Sequence, residues 1–532
     1  MIKWFQHQML VKKGLACDKT RRQRSEGTWL EGMDCSALVR LGVFAFFAAV
    51  LYIINFWQNG AINNNEQHLL IFIVFFSSIM LMQMDQPEIW NSNFKIILSL
   101  GVTWVSLFIC KFIFVYAQSR HHMHPAAIYY LLPSAMAPFF IALLLGPTAG
   151  LYTVLNASLM LALLFDQSFS LLLINLVTGF TAVYFLRGAR KRGDLIKAGV
   201  AVGVASLLCA IAFGLIGGRS IQALLEQAAL GIGVGIMTAL VVSALLPIFE
   251  STFGIITDIS WIEMADLNHP LLQQMTIEAP GTYHHSLVVA NLMEAAAVPL
   301  KLNPTQCRVM AYFHDIGKII KPEYFSENCP PDRSPHLNLS PSMSALIIIA
   351  HVKEGVDLAL KFRLKKPIVD AIQQHHGDSL VYYFYKRAKQ LEQDAREGGK
   401  IMNMREEDIP EVSENSFRYP GPRPNSKEIG LLCLADAIEA ASRTLERPTP
   451  QRVEGLVNEI VDRRIAEGML DDCGLTLGEI RAAADSFVFT IKNMMHSRIV
   501  YPKDEKEKPA SSAALQSPKK SSHLPPSSSA AA

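Results

Sequence analysis

The chain has 532 residues, half of them hydrophobic and 18% charged, with a mean hydropathy of +0.23 and a formal net charge of +2. That is too apolar for an ordinary soluble protein and too charged for one built only of membrane spans, so two unlike parts are expected. The near-balance of charge singles out no partner, and no nucleic acid polymer is expected among them.

Residues 1–36 carry Lys3, Lys12, Lys13, Lys19, Arg21, Arg22 and Arg24 around no apolar core, which reads as a basic cytoplasmic tail and not as a cleavable leader. The eight cysteines are scattered, without a CxxC pair, as expected of free thiols in a reducing compartment.

Residues 37–250 are almost free of charge and predict a transmembrane region of about eight helices, near 37–57, 68–84, 96–117, 127–146, 147–165, 169–186, 195–217 and 227–249. Most reach the roughly 17–25 apolar residues that cross a hydrocarbon core. Gly146-Pro147 reads as a tight turn between two of them, and the sixth span is short. Lys and Arg bias sets the orientation. With eight spans, the basic tail, the loop holding Arg187, Arg190, Lys191 and Arg192, and everything after residue 250 fall on the cytoplasmic side of a plasma (inner) membrane. Lys111 is the one charge well inside a span, and snorkelling toward the outer interface is expected for it. The stretch Arg120 to His124 reads as a solvated outer loop. No phosphate-binding glycine loop and no transporter-like pair of broken helices stands out.

Beyond Glu250 the pattern turns helical throughout. Residues 251–275 read as a linker helix region and 276–500 as an all-helical domain, so the whole chain is expected to be all-α. Asn303-Pro304 and Ser340-Pro341 are helix-start signals, as is Pro367, and Gly377 is a helix stop. The stretch Gln390 to Gly399 reads as a flexible charged insertion, and residues 501–532, rich in Ser, Ala, Pro and Lys, as a disordered tail.

Histidine placement is the informative feature. Of 15 histidines, seven fall between 284 and 376: His284, His285, His314, His336, His351, His375 and His376. His336 sits in a Pro-rich polar stretch and reads as a solvated loop residue. The others lie on apolar helices or at their ends, followed by Asp436 in a run of Leu432, Cys433, Ala437 and Ala440. An apolar helix face that includes Asp or His must satisfy it, because an unpaired buried polar group costs roughly 1–3 kcal/mol. Five imidazoles and two carboxylates spread over several helices are best satisfied together, by a pair of divalent cations bridged by one carboxylate. The steps between the ligand groups each leave room for one helix and a connection, so each group comes from its own helix.

At these residues the sequence resembles the HD superfamily of metal-dependent phosphohydrolases. It is most similar to the membrane-bound cyclic di-AMP phosphodiesterases of the PgpH family, which place a seven-helix membrane region before an HD domain. The shared phrases, within roughly residues 68–500, are FGIITD at 253–258, NHPLL at 268–272, EAPGTYHHS at 278–286, HDIGK at 314–318, QHHG at 374–377, FRYPGP at 417–422 and LADAIEA at 434–440. The resemblance implies a multi-span bundle followed by an HD-type domain. It implies that His285, His314, Asp315 and Asp436 hold one metal and that His351, His375 and His376 hold the other, with Asp315 bridging. It gives His314, Asp315 and Lys318 catalytic roles, with Lys318 near a substrate phosphate. Arg418 and Tyr419 would help form the nucleotide pocket, and Arg443 is a weaker phosphate candidate. His284 points elsewhere.

The implied cofactors are two divalent ions, Mn or Fe, and the implied partners are a cyclic dinucleotide and the lipid bilayer, with a homodimer left open. The implied reaction is hydrolysis of cyclic di-AMP to linear pApA by a hydroxide drawn from a water bridging the two ions. Rival readings are an HD phosphohydrolase acting on cyclic di-GMP, an alarmone or a nucleotide monophosphate, and a nucleotide-binding signalling module without turnover. One departure stands out: the family usually carries a large extracellular domain after its first span, where this chain has only residues 58–67.

Overall fold

The computed structural model describes residues 29–59, 65–119, 125–165, 168–330, 333–401, 412–445 and 449–496. Among these residues there is no β-strand, and the one strand-like pairing is an isolated bridge between Leu380 and Arg418. The basic stretch 1–28, the Arg120–His124 loop and the expected C-terminal tail lie outside the described residues.

Eight segments are long and apolar enough to cross a membrane. They are α1 (Ala37–Asn59), α2 (Asn65–Asp85), α3 (Asn93–Ser119), the pair α4 (Pro125–Leu131) and α5 (Met136–Leu144), α6 (Pro147–Leu164), α7 (Phe169–Leu186), α8 (Arg192–Ile216) and α9 (Ile221–Phe253). The expected turn before Pro147 is present, with Gly146 at φ +98°. The fourth span is discontinuous, which hydropathy does not reveal. Pro133 has no N–H to donate and disfavours a helical Leu132, so the helix stops and restarts at Met136. Close packing joins α8 to α9, where a Cβ on Gly203 would lie 2.8 Å from the Ile232 Cα.

Lys111 does not reach solvent. It is 1% exposed, and its Nζ donates to the Leu164 carbonyl at 3.0 Å beside the Phe165 ring. Leu164 ends its helix, where carbonyls leave the helical ladder, and the ammonium turns inward to it.

Helix α9 stops at Gly254, which takes the left-handed conformation (φ +66°). The short helix α10 (Asp258–Met264) follows, anchored to the end of α9 by Glu250. This buried carboxylate accepts from the Thr257 N–H at 2.9 Å, the Thr257 hydroxyl at 2.5 Å and the Ser260 hydroxyl at 2.7 Å. On α10, Ile259 packs into the core of the membrane bundle and Trp261 into the core of the C-terminal half. Arg192, where the basic loop meets the start of α8, pairs with Glu263 of α10 at 2.8 Å.

The C-terminal half continues with α11 (Pro270–Glu278), α12 (Pro280–Ala297), α13 (Pro304–Phe313), α14 (Pro341–Lys361), α15 (Lys366–Gln374), α16 (Tyr382–Ile401), α17 (Lys427–Ser442), α18 (Pro450–Ala466) and α19 (Leu477–His496). The start signals act as expected: Asn303 accepts from the N–H groups of Thr305 and Gln306, and Ser340 from that of Met343. The core is apolar, with Leu292, Val309, Leu431, Leu434 and Phe487 all buried. The stretch 390–399 is not a loose insertion but part of α16. Its charges recur at helical spacing, so that Glu392 pairs with Lys389 and Arg396, and Gln390 with Asp394.

Candidate metal centre

The helices that carry the histidines end or pass at one point. His285 is in α12, His351 in α14 and Asp436 in α17, each on the buried face. His314 closes α13, and the next residue, Asp315, opens a 3-10 turn. His375 closes α15, and Gly377 (φ +52°) then reverses the chain. A strap from Phe417 to Gly421 holds this reversal. Val381 N–H donates to the Phe417 carbonyl at 2.8 Å, Tyr419 N–H to Ser379 at 3.0 Å and Gly421 N–H to Gly377 at 3.0 Å.

Two sets of donor atoms result, each set lying within 4.8 Å: His285, His314, Asp315 and Asp436 in one, and Asp315, His351, His375 and His376 in the other. Asp315 belongs to both. Its Oδ2 is 3.2 Å from His314 Nε2 and 3.5 Å from His285 Nε2, and its Oδ1 is 3.4 Å from His351 Nε2 and 3.6 Å from His375 Nε2. The chemistry of these donors fits a metal. Asp315 Oδ1 and the Nε2 atoms of His314, His351 and His375 are buried without a hydrogen-bond partner in the protein, and Asp315 Oδ2 meets the Lys318 ammonium at 2.8 Å. The other ring nitrogen is occupied: Nδ1 of His314 donates to the Ala311 carbonyl at 2.8 Å, that of His351 to Ile348 at 2.6 Å and that of His375 to Ile372 at 2.9 Å. A carbonyl only accepts, so each Nδ1 carries a proton and Nε2 is the nitrogen turned to the centre.

Electrostatics divides the two sets. Burial disfavours charge on His314, yet the Asp315 and Asp436 carboxylates outweigh it and hold the imidazole up at about 10. Burial also works against the charge of Asp315, but His314 and Lys318 hold its carboxyl well below the usual range. In the other set burial prevails: it drives His351 down to about 4 and His376 well below the ordinary value. A carboxylate-rich group that attracts cations thus adjoins the neutral imidazoles of His351 and His376, both groups suited to divalent ions.

The remaining expected site residues are placed as follows. Lys318 Nζ is buried, 2.8 Å from Asp315 Oδ2 and 2.8 Å from Glu327 Oε1. Tyr419 stacks on His376, with ring centroids 4.4 Å apart. Arg418 pairs with Glu414 and donates to the Asp378 carbonyl at 3.0 Å. Arg443 is held 2.6 Å from Glu439. His284 is exposed and outside both sets. His336 is not solvated. It is buried, its Nε2 donating to the Tyr324 carbonyl at 2.8 Å and its ring against Phe384, because the Pro-rich stretch folds back onto α16.

Two carboxylates escaped the sequence reading. Glu439 lies 2.5 Å from His285 Nδ1, and its place one turn after Asp436 was an available signal. Glu327 comes from a loop without periodicity, and no pattern marks it.

The family described as "7TM receptor with intracellular HD hydrolase" matches residues 66–257, which hold seven of the eight spans. The HD domain matches residues 282–441. HD domains are metal-dependent. The cyclic-di-AMP phosphodiesterase PgpH of Bacillus subtilis is 32% identical over 464 residues, covering 84% of this chain and 62% of that protein. The protein of the same name from Listeria monocytogenes is 32% identical over 442 residues, 82% of this chain and 58% of that one. The chain therefore spans about three fifths of these relatives, 62% and 58% of their lengths. The crystal structure of the L. monocytogenes PgpH HD domain in complex with cyclic-di-AMP is 37% identical, covers 44% of this chain and 100% of that one, and has a TM-score of 0.39. The chain is thus similar to multi-pass membrane proteins in which such a membrane region precedes an HD domain.

Proposed function

We propose that the protein is a membrane-anchored, metal-dependent phosphodiesterase that hydrolyses cyclic di-AMP to linear pApA on the cytoplasmic side of the membrane. The observation that carries this reading is the sharing of Asp315 by two ligand sets in which the Nε2 atoms of His314, His351 and His375 have no hydrogen-bond partner in the protein. The names of the two PgpH relatives support the substrate. The basic loop Arg187–Arg192 supports the sidedness, because its Arg192 pairs with Glu263 at the end of the bundle from which the HD domain continues.

Two divalent ions, Mn or Fe, would be held by His285, His314, Asp315 and Asp436 and by Asp315, His351, His375 and His376, and would supply charge neutralisation at the phosphodiester and a lowered pKa for the attacking water. The protein contributes the rest. Nδ1–carbonyl bonds fix the tautomers of His314, His351 and His375 before any ligand arrives. Lys318, charged and set beside Asp315, places a cation where phosphate charge would collect. Tyr419 covers one face of His376 and keeps water from that ligand.

Turnover of cyclic di-AMP and cyclic di-GMP by the purified full chain in lipid nanodiscs with Mn, beside Asp315→Ala, tests the reading. Hydrolysis of cyclic di-AMP to pApA that vanishes in the variant is expected. A preference for cyclic di-GMP would overturn the substrate, and turnover that survives the loss of Asp315 would overturn the mechanism.

A further inference from the structure

His285 is held unlike the other imidazoles around Asp315. Where His314, His351 and His375 lean on backbone carbonyls, His285 presents Nδ1 to a side-chain carboxylate, Glu439 Oε2, at 2.5 Å. The second oxygen of Glu439 is 2.6 Å from the Arg443 guanidinium. Glu439 is 3% exposed, while the side chain of Arg443 is 37% exposed. The carboxylate is thus buried against the imidazole, and its counter-charge reaches solvent.

One helix grips His285 from both sides. Asp436 of α17 lies 3.0 Å from His285 Nε2, and Glu439, three residues on, takes Nδ1. Carboxylates therefore accumulate on one side of the centre. The set with His285 and His314 has Asp315, Asp436 and, behind His285, Glu439. The set with His351, His375 and His376 counts Asp315 as its one carboxylate, and Asp436 Oδ2 comes near it at His376, 3.7 Å away. A carboxylate behind a ligating imidazole strengthens its donation and adds negative charge near the ion.

We propose that Glu439 is a positioning residue that makes the two metal positions unequal: the position formed by His285, His314, Asp315 and Asp436 holds its ion more tightly, and the position formed by His351, His375 and His376 exchanges. Arg443 moderates the effect by balancing the Glu439 charge. This rests on the two-ion reading of the site, and the experiment separates the two.

The test is a Mn titration of the chelator-stripped full chain in nanodiscs, followed calorimetrically and by the signal of free Mn. The wild type is expected to take two ions in two classes of affinity. One ion in total would sink the two-ion reading itself. Two ions of equal affinity would sink only the inequality. Glu439→Gln keeps the shape and the hydrogen bond to His285 and removes the charge. It is expected to weaken the tight class by roughly 10–100-fold, as for other groups behind a metal ligand, and to move the weak class less than about threefold. A shift of both classes together, or of neither, overturns the assignment. Arg443→Met leaves Glu439 in place and carries the test if the first variant melts early. Its expected result is a tight class that tightens severalfold with the weak class unmoved, and loosening or no change overturns the proposal.

Discussion

The side-chain amide of Asn303 donates to the Asp258 carboxylate across 2.6 Å, tying the helix that follows the last span to the helix that ends at His314. Upstream, Glu250 binds Thr257 and Ser260 to the end of α9, so a chain of direct contacts runs from the membrane bundle to a ligand of the candidate metal centre. Asn303 has a second duty as the cap of α13, through Thr305 and Gln306. The two duties are separable. Asn303→Ala loses both and is expected to cost about 1–2 kcal/mol, mostly from the cap. Asp258→Ala loses only the exposed link and is expected to cost about 0.5 kcal/mol. In a domain of this size each kcal/mol lowers the melting temperature by roughly 2–4 °C. Melting curves for the two variants check the order, and equal losses would refute the capping account.

Lys318 joins two buried carboxylates, Asp315 and Glu327, and Glu327 also accepts from the Thr282 hydroxyl at 3.1 Å. Replacing Lys318 with Met leaves two buried anions facing each other, at a cost of about 3–5 kcal/mol in the metal-stripped protein. Adding Glu327→Gln removes one of those anions. The double variant is therefore expected to recover about 1–3 kcal/mol relative to Lys318→Met, measured by denaturant unfolding of the C-terminal half. Strict additivity of the two losses would mean that the pair is not coupled.

Stability after chelation should depend on pH in both directions. His351 is fully buried, and burial holds it at about 4, below its ordinary 6.5. Its contribution is complete above pH 6.5 and is lost as pH falls toward 4, up to about 3 kcal/mol. His314 runs the other way: held at about 10 by Asp315 and Asp436 against burial, it contributes fully below pH 6.5 and loses that contribution as pH rises toward 10. Thermal melts from pH 4 to 10 are expected to peak near neutrality. His351→Gln should make the acid side shallower, with the depressed His376 keeping part of the slope, and leave the alkaline side alone. An acid side unchanged by the substitution would rule out His351 as its source.

The parts of this architecture that were legible in the sequence are those that repeat or that violate a pattern. Spans announce themselves by apolar length, and the seven proposed ligands by being polar where the helix pattern asks for apolar residues, as Asp436 does between Leu432 and Ala440. What stayed hidden depends on contacts between distant segments. Glu327 is an ordinary loop residue until the fold carries it to Lys318. Lys111 has the sequence surroundings of a snorkelling lysine, and only the end of α6 at Leu164 turns it inward. The break at Pro133 is hidden because hydropathy averages across it.

Gly317 shows how tightly the centre is built without being one of its ligands. It lies two residues after Asp315, and a Cβ there would stand 1.9 Å from the His351 carbonyl oxygen and 2.5 Å from the Gly355 nitrogen. Both are backbone atoms of α14, so no side chain can swing away to make room. Gly317→Ala is thus expected to push α14 from the 3-10 turn and to move His351 away from Asp315, whose nearest approach is now 3.4 Å. The packing cost should be about 3 kcal/mol or somewhat more, with a drop in metal affinity beside it. Gly355→Ala is the control on the facing side. Its Cβ would come 2.8 Å from Ile372 Cγ2 and 3.2 Å from the Gly317 nitrogen, a smaller overlap than the 1.9 Å one, so about 1–2 kcal/mol is expected. Melting curves and a metal titration of both variants decide the matter, and a Gly317→Ala protein that binds metal as the wild type does would mean that the two elements separate without disturbing the ligands.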